Sequence, residues 1–210
     1  MDVQPPHQPI HTWKDFLLHL LTITIGLFIA LTLEAFIDSG HHRHLVRDAR
    51  VNLQREIAAN HELYAKNLRY LQLNRTQLAQ DIDVLRELRD GKKLDNAHLS
   101  WSWDWRSYTE SAWNTARENG AVSYMDANWI SIYSSVYAQQ EYINTTAVAT
   151  LNEESRAGAS LEVARDPSKL TPAEIEALLI KSAEIDQSFA MLETTMKGLD
   201  DLYAEAFKVP

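Results

Sequence analysis

The residues best equipped for chemistry gather in one short stretch, "SGHHRHLVRDAR" (residues 39–50), where His41, His42 and His44 stand beside Arg43, Arg47 and Arg50. Imidazoles three apart on a helix, as His41 and His44 would be, can share a metal ion, and arginines can pair with phosphate. A closed zinc site needs four ligands, however, and the 210-residue chain has no cysteine. No partner histidine follows at a suitable spacing, and interleaved guanidinium groups repel a bound cation. The expectation is no metal and no cofactor, with His41 and His44 the residues that would hold a metal if one bound.

A second concentration is "WSWDWRSY" (101–108), with Trp101, Trp103 and Trp105 at alternate positions. On a strand they would share one face and form an aromatic binding patch. In a loop they would plug the open end of a helical core, and the large burial energy of aromatic rings favours that reading. Catalytic signatures are lacking: H-E-x-x-H, G-x-S-x-G, a P-loop, G-x-G-x-x-G and an E-x-x-H pair are all absent. His98 stands by itself near Asp95 and Asp104, and the other carboxylates are spread along the chain. The pattern implies a protein that is not an enzyme. A net charge of −9 repels phosphate backbones and excludes nucleic acid as a partner.

What positions the basic cluster is the segment before it. Phe16 to Leu33, "FLLHLLTITIGLFIALTL", runs 18 residues without a formal charge. That approaches the roughly 20 residues a helix needs to cross a bilayer, and Ala35, Phe36 and Ile37 extend it. The flanks "MDVQPPHQPIHTWKD" and "EAFIDSGHHRH" match neither the basic region nor the small-residue cleavage site of a signal peptide. A single uncleaved spanning helix over 13–38 is therefore expected, after a tail at 1–12. Thr22, Gly26 and Ala30 recur every four residues, and Glu34 continues the row. Small residues at this spacing let two helix backbones approach closely in lipid. Lys14 is the one Lys or Arg before the span, whereas Arg43, Arg47, Arg50 and Arg55 follow it closely. That asymmetry places the large domain in the cytoplasm, with Trp13 in the aromatic belt of the opposite interface. The histidines and arginines of 39–50 then form a junction at the lipid headgroups.

Beyond the junction, residues 45–210 read as all-α. Val46, Leu53, Ile57, Tyr64, Leu68, Leu71, Leu78, Ile82 and Leu85 share one stripe, in which Ile57, Tyr64, Leu71, Leu78 and Leu85 repeat every seven residues. This predicts a long helix over about 43–90, stopped by Gly91. His61 and Arg75 interrupt the seam and are expected at its solvated edge. "TPAE" (171–174) offers a capping box with Pro172 at the first helical position. From there Ile175, Leu178, Ser182, Ile185, Phe189, Leu192, Met196, Leu199, Tyr203 and Ala206 predict a second long helix over about 172–207. Shorter helices are expected at about 107–119, from a capping box of Ser107 and Glu110 to Gly120, and at about 127–163. The two long helices are expected to pack antiparallel in a bundle of about four, with the first continuing the spanning helix.

The segments "DFLLHLLTITIGLFIALTLEAF", "ARVNLQREIAANHELY" and "SAWNTARENGAVSYMD" resemble a broad group of bacterial single-pass membrane proteins that carry a domain of unknown function. In that group an "IG-x-x-IAL" membrane helix leads into a long helix with an "L-x-x-E-I/L" start, and a "W/Y-x6-G" segment follows. The resemblance covers the anchor, the first long helix and residues 107–125, but not the last 60 residues. It implies the architecture and a bacterial inner membrane, and no activity. Many members have more basic N-terminal tails, which would put their domains outside; this chain departs from them there. Together the patterns imply a bilayer-anchored bundle that assembles with itself or another membrane protein, with a sensory or ligand-binding bundle as the alternative.

Overall fold

A computed structural model describes residues 13–94, 97–100, 104–164 and 166–209, and the side chains among them outside 160–164. The described residues are helical or irregular, without a strand. Four α-helices follow in chain order: α1 Trp13–Arg89, α2 Ser111–Glu118, α3 Ala127–Ala164 and α4 Pro172–Ala206. The chain divides into two units, one ending at Asp48 and the other beginning at Ala49.

In the first unit the described residues are helix, and their apolar side chains point outward. Leu18, Phe28 and Ile29 are each more than 60% exposed. By length and composition this helix can cross a membrane. Its hydroxyls are satisfied internally: Thr22 Oγ1 donates to the Leu18 carbonyl at 2.8 Å, Thr24 to Leu20 at 2.8 Å, and Thr32 to Phe28 at 2.9 Å. Such back-bonding lets threonine sit in hydrocarbon without an orphaned polar group.

The second unit is built on seams of seven. Leu53, Ile57, Tyr64, Leu71, Leu78 and Leu85 are buried along α1, while Leu68 and Ile82 lie at the margin; Val46 falls in the first unit. On α4 all ten residues of the stripe from Ile175 to Ala206 are buried. Each large apolar side chain so buried contributes about 1.5–3 kcal/mol. The two helices run antiparallel, because His61 pairs with Asp200 at 3.1 Å and Arg75 with Asp186 at 3.2 Å. Both His61 and Arg75 sit part-exposed at the seam's edge and tie α1 to α4. Along α3, Tyr133, Val136, Ile143 and Ala147 close the core. Tyr137 and Gln140 of α3 meet Glu56 and Asn60 of α1 in ascending order, so these two helices are parallel.

The helix ends follow local chemistry. Thr171 and Glu174 form a full capping box with Pro172 at the first helical position. Gly91 (φ 76°) follows α1 and Gly120 (φ 80°) follows α2, both in the left-handed region that glycine enters without a Cβ clash. Asp126 caps α3 by accepting the Asn128 N–H at 2.8 Å. The start of α2 corrects the expectation. Ser107 and Glu110 form no capping box; α2 begins at Ser111, and Glu110 makes no side-chain cap. The stretch stays out of the helix because the backbone groups of Arg106, Tyr108 and Thr109 are bonded elsewhere.

Candidate functional site

The partners of Arg106, Tyr108 and Thr109 are side-chain amides. Asn67 of α1 donates to the Arg106 carbonyl at 2.8 Å and accepts its N–H at 3.3 Å. Asn60, one heptad earlier, donates to the Thr109 carbonyl at 2.7 Å and accepts its N–H at 3.1 Å. Asn144 of α3 makes the same pair with Tyr108, at 3.1 and 3.0 Å. A carboxamide has one acceptor and two donors, so it can match both main-chain groups of one residue, as a neighbouring strand would. Seven residues of helix rise about 10.5 Å. Three residues of extended chain span about 10 Å. Arg106 and Thr109 therefore keep step with Asn67 and Asn60 only if the chain between them is nearly straight.

From Arg106 to Thr109 this strap runs antiparallel to α1, and carboxylates bond the chain at Ser100 and at Ala112. Asp81 accepts the Ser100 N–H on both oxygens at 3.3 Å. Glu56 accepts the Ala112 N–H in the first turn of α2, at 3.0 and 3.1 Å, and takes the Tyr137 hydroxyl at 2.8 Å. A carboxylate at an N-terminal turn meets free N–H groups and the positive end of the helix dipole, so Glu56 does the capping that Glu110 does not. The network continues inward: Asn60 donates to Gln140 at 3.1 Å, and Gln140 to the Tyr203 hydroxyl at 2.9 Å. Asn60, Asn67, Asp81 and Gln140 are at most 2% exposed. Burial pushes the Tyr108, Tyr137 and Tyr203 hydroxyls well above the ordinary phenol range, so all three act as neutral groups.

Sequence reasoning passed over the polar residues of this row. Asn60, Asn67 and Asp81 stand seven and fourteen residues apart, on a register shared with Leu53 of the seam. Chemically the row reads main chain rather than side chains, so it is a holder of extended peptide. It carries no nucleophile.

The sequence-selected residues are placed as follows. Thr22, Gly26, Ala30 and Glu34 lie four apart on helical backbone, and among the described residues no neighbouring group would meet a Cβ added at Gly26 within 4 Å. Trp13 is exposed and stacks on Phe16 at 5.4 Å. His41, Arg43 and His44 are exposed, and His42 is half-buried. Among the described residues no group of three His, Asp or Glu is arranged to hold a metal ion. Arg43 bonds the Ser39 carbonyl at 3.1 Å, and Arg47 pairs with Asp48 at 3.5 Å. Arg50 falls in the second unit, with its guanidinium 5.4 Å over the Trp129 ring. Trp105 is half-buried, edge-on to Tyr108 at 6.2 Å. Trp101 and Trp103 lie outside the described residues, as does Asp95. His98 is exposed on the segment after α1.

No protein family, no curated protein and no solved structure matches this chain.

Proposed function

We propose that this protein is a membrane-anchored helical scaffold, without enzymatic activity, that assembles through its spanning helix with copies of itself or with another membrane protein. The observation that carries the reading is the outward-facing apolar surface of residues 13–37, whose apolar side chains nothing among the described residues buries. Such a surface is stable only in lipid or against another helix. The Thr22, Gly26 and Ala30 row supplies a face on which a second helix can approach closely. The junction arginines support a cytoplasmic bundle. The bundle contributes an interaction surface held rigid by its side-chain-to-backbone ladder.

Sedimentation of the detergent-solubilised full chain tests this. An oligomer, or a stable complex with a second membrane protein, is expected, and Gly26→Leu should weaken it. Monomers throughout, or assembly indifferent to Gly26→Leu, would contradict the reading.

A second reading, a sensory bundle, is favoured by the open polar groove between α1 and α4 lined by Gln72, Arg75, Thr76, Arg86, Asp186 and Glu193. Its charges are already paired internally, Arg75 with Glu193 at 2.8 Å among them, which makes it the weaker of the two. Ligand-dependent thermal stabilisation of wild type but not Arg75→Ala would support it.

A further inference from the structure

The groove between α1 and α4 has a volume of about 640 Å³, inside the range of roughly 300–1,000 Å³ that small-molecule sites occupy. Its ionic groups stand at two ends, with a neutral stretch between them. At one end Arg75 is held by Asp186 on Nε at 3.2 Å and by Glu193 on Nη1 at 2.8 Å. At the other end Arg86, eleven residues after Arg75 on α1, pairs through Nη1 with Asp83 at 3.0 Å. Thr76, Ala79 and Ile82 line the stretch between. The Thr76 hydroxyl is already donated to the Gln72 carbonyl at 2.9 Å, so this floor carries no charge and no free donor.

The pairings leave hydrogen-bonding capacity unused at each end. Glu193 is occupied on both oxygens, because Lys197 also reaches it at 3.4 Å. Asp186 spends only Oδ1, and its Oδ2 has no partner among the described residues. Arg86 spends only Nη1. Its Nε–Nη2 edge is open, and that edge is a fork able to grip a carboxylate through two parallel bonds. Arg43, Arg47, Arg75 and Arg89, by contrast, each donate from Nε to an oxygen of this chain. The side chains of Asp186 and Arg86 are 46% and 59% exposed, so both open edges can be reached from solvent.

We propose that this groove binds a short extended peptide with free ends, its α-ammonium on Asp186 and its α-carboxylate on the Arg86 fork. The inference rests on the second reading above, in which the groove takes a ligand, and it names the class of that ligand. Helix rise sets Arg86 about 16 Å beyond the Arg75–Asp186 pair. Extended chain covers about 3.3 Å per residue, so roughly four or five residues bridge the two ends and a free amino acid does not. The middle of the peptide lies over Ala79 and Ile82, where an uncharged main chain with small side chains meets no opposing charge. The pairs with Arg75 and Asp83 hold Asp186 and Arg86 in place before binding, which lowers the ordering cost of the two terminal contacts.

The test is thermal unfolding of the detergent-solubilised full chain, followed by tryptophan fluorescence, with penta-alanine as the probe. Titrated to about ten times its Kd, penta-alanine should raise Tm by about 3–6 °C. N-acetyl-penta-alanine and penta-alanine amide each lack one terminal charge and should bind roughly tenfold more weakly. Di-alanine is too short to bridge the ends and should be weak as well. Arg86→Gln should respond equally to penta-alanine and its amide, because the fork that tells them apart is gone. Equal shifts of wild type with free and blocked peptides, or with di-alanine and penta-alanine, would overturn the proposal, and so would no shift with any of them. If Arg86→Gln melts too low to titrate, the blocked peptides on wild type decide alone. Should penta-alanine fail while free amino acids or dicarboxylates stabilise wild type but not Arg75→Ala, the peptide is excluded and the sensory reading stands.

Discussion

Asn67 shows how one side chain decides local structure. Its carboxamide supplies both partners of Arg106, and the same arrangement recurs at Asn60 with Thr109 and at Asn144 with Tyr108. These amides replace the backbone hydrogen bonds that a helix over 106–109 would have made. Asn67→Leu leaves a donor and an acceptor unmatched beside an apolar side chain, which costs about 1–3 kcal/mol. Chemical denaturation should therefore show a lowered midpoint for Asn67→Leu. Asn52→Ala, on the exposed face of the same helix, should stay within about 0.5 kcal/mol of wild type. Equal midpoints for the two variants would mean that the ladder is not what holds the strap.

At the scale of elements, helix ends were the most legible feature. Thr171 with Glu174, Gly91 and Gly120 act where their residue types place them, because caps depend on only a few neighbouring residues. The α4 stripe was legible for the same reason: ten positions at alternating steps of three and four all point inward. The start of α2 was not legible. The groups that hold residues 106–109 and cap Ala112 come from Asn60, Asn67, Asn144 and Glu56, more than thirty positions away. No local pattern reports such a partner, and buried asparagines in a heptad look like an exposed face until their acceptors are known. Gly120 offers a test at this scale. Its φ of 80° is reached by glycine alone without strain, so Gly120→Ala should destabilise the bundle by about 1 kcal/mol. Gly26→Ala, on regular helix with open space around it among the described residues, should leave the stability of the bundle unchanged. A circular-dichroism melt distinguishes the two.

At the scale of the whole molecule, an outward-facing apolar helix and a fully packed bundle share one chain. The polarity of the junction argues for a bundle on the cytoplasmic side, with Lys14 facing four arginines across the span. A reporter fused after Pro210 should therefore be active only if it is of the cytoplasmic kind, and activity of a periplasmic reporter would reverse the topology. Where the partner in the proposed assembly is a second copy, the two chains meet through the Thr22, Gly26 and Ala30 face. Because the chain has no cysteine, single substitutions report on that face directly. Oxidation of native membranes carrying Gly26→Cys should give a disulfide-linked dimer. Phe28→Cys, about 200° around the helix from Gly26, should give little. Equal cross-linking at both positions, or none at either, would contradict the claim.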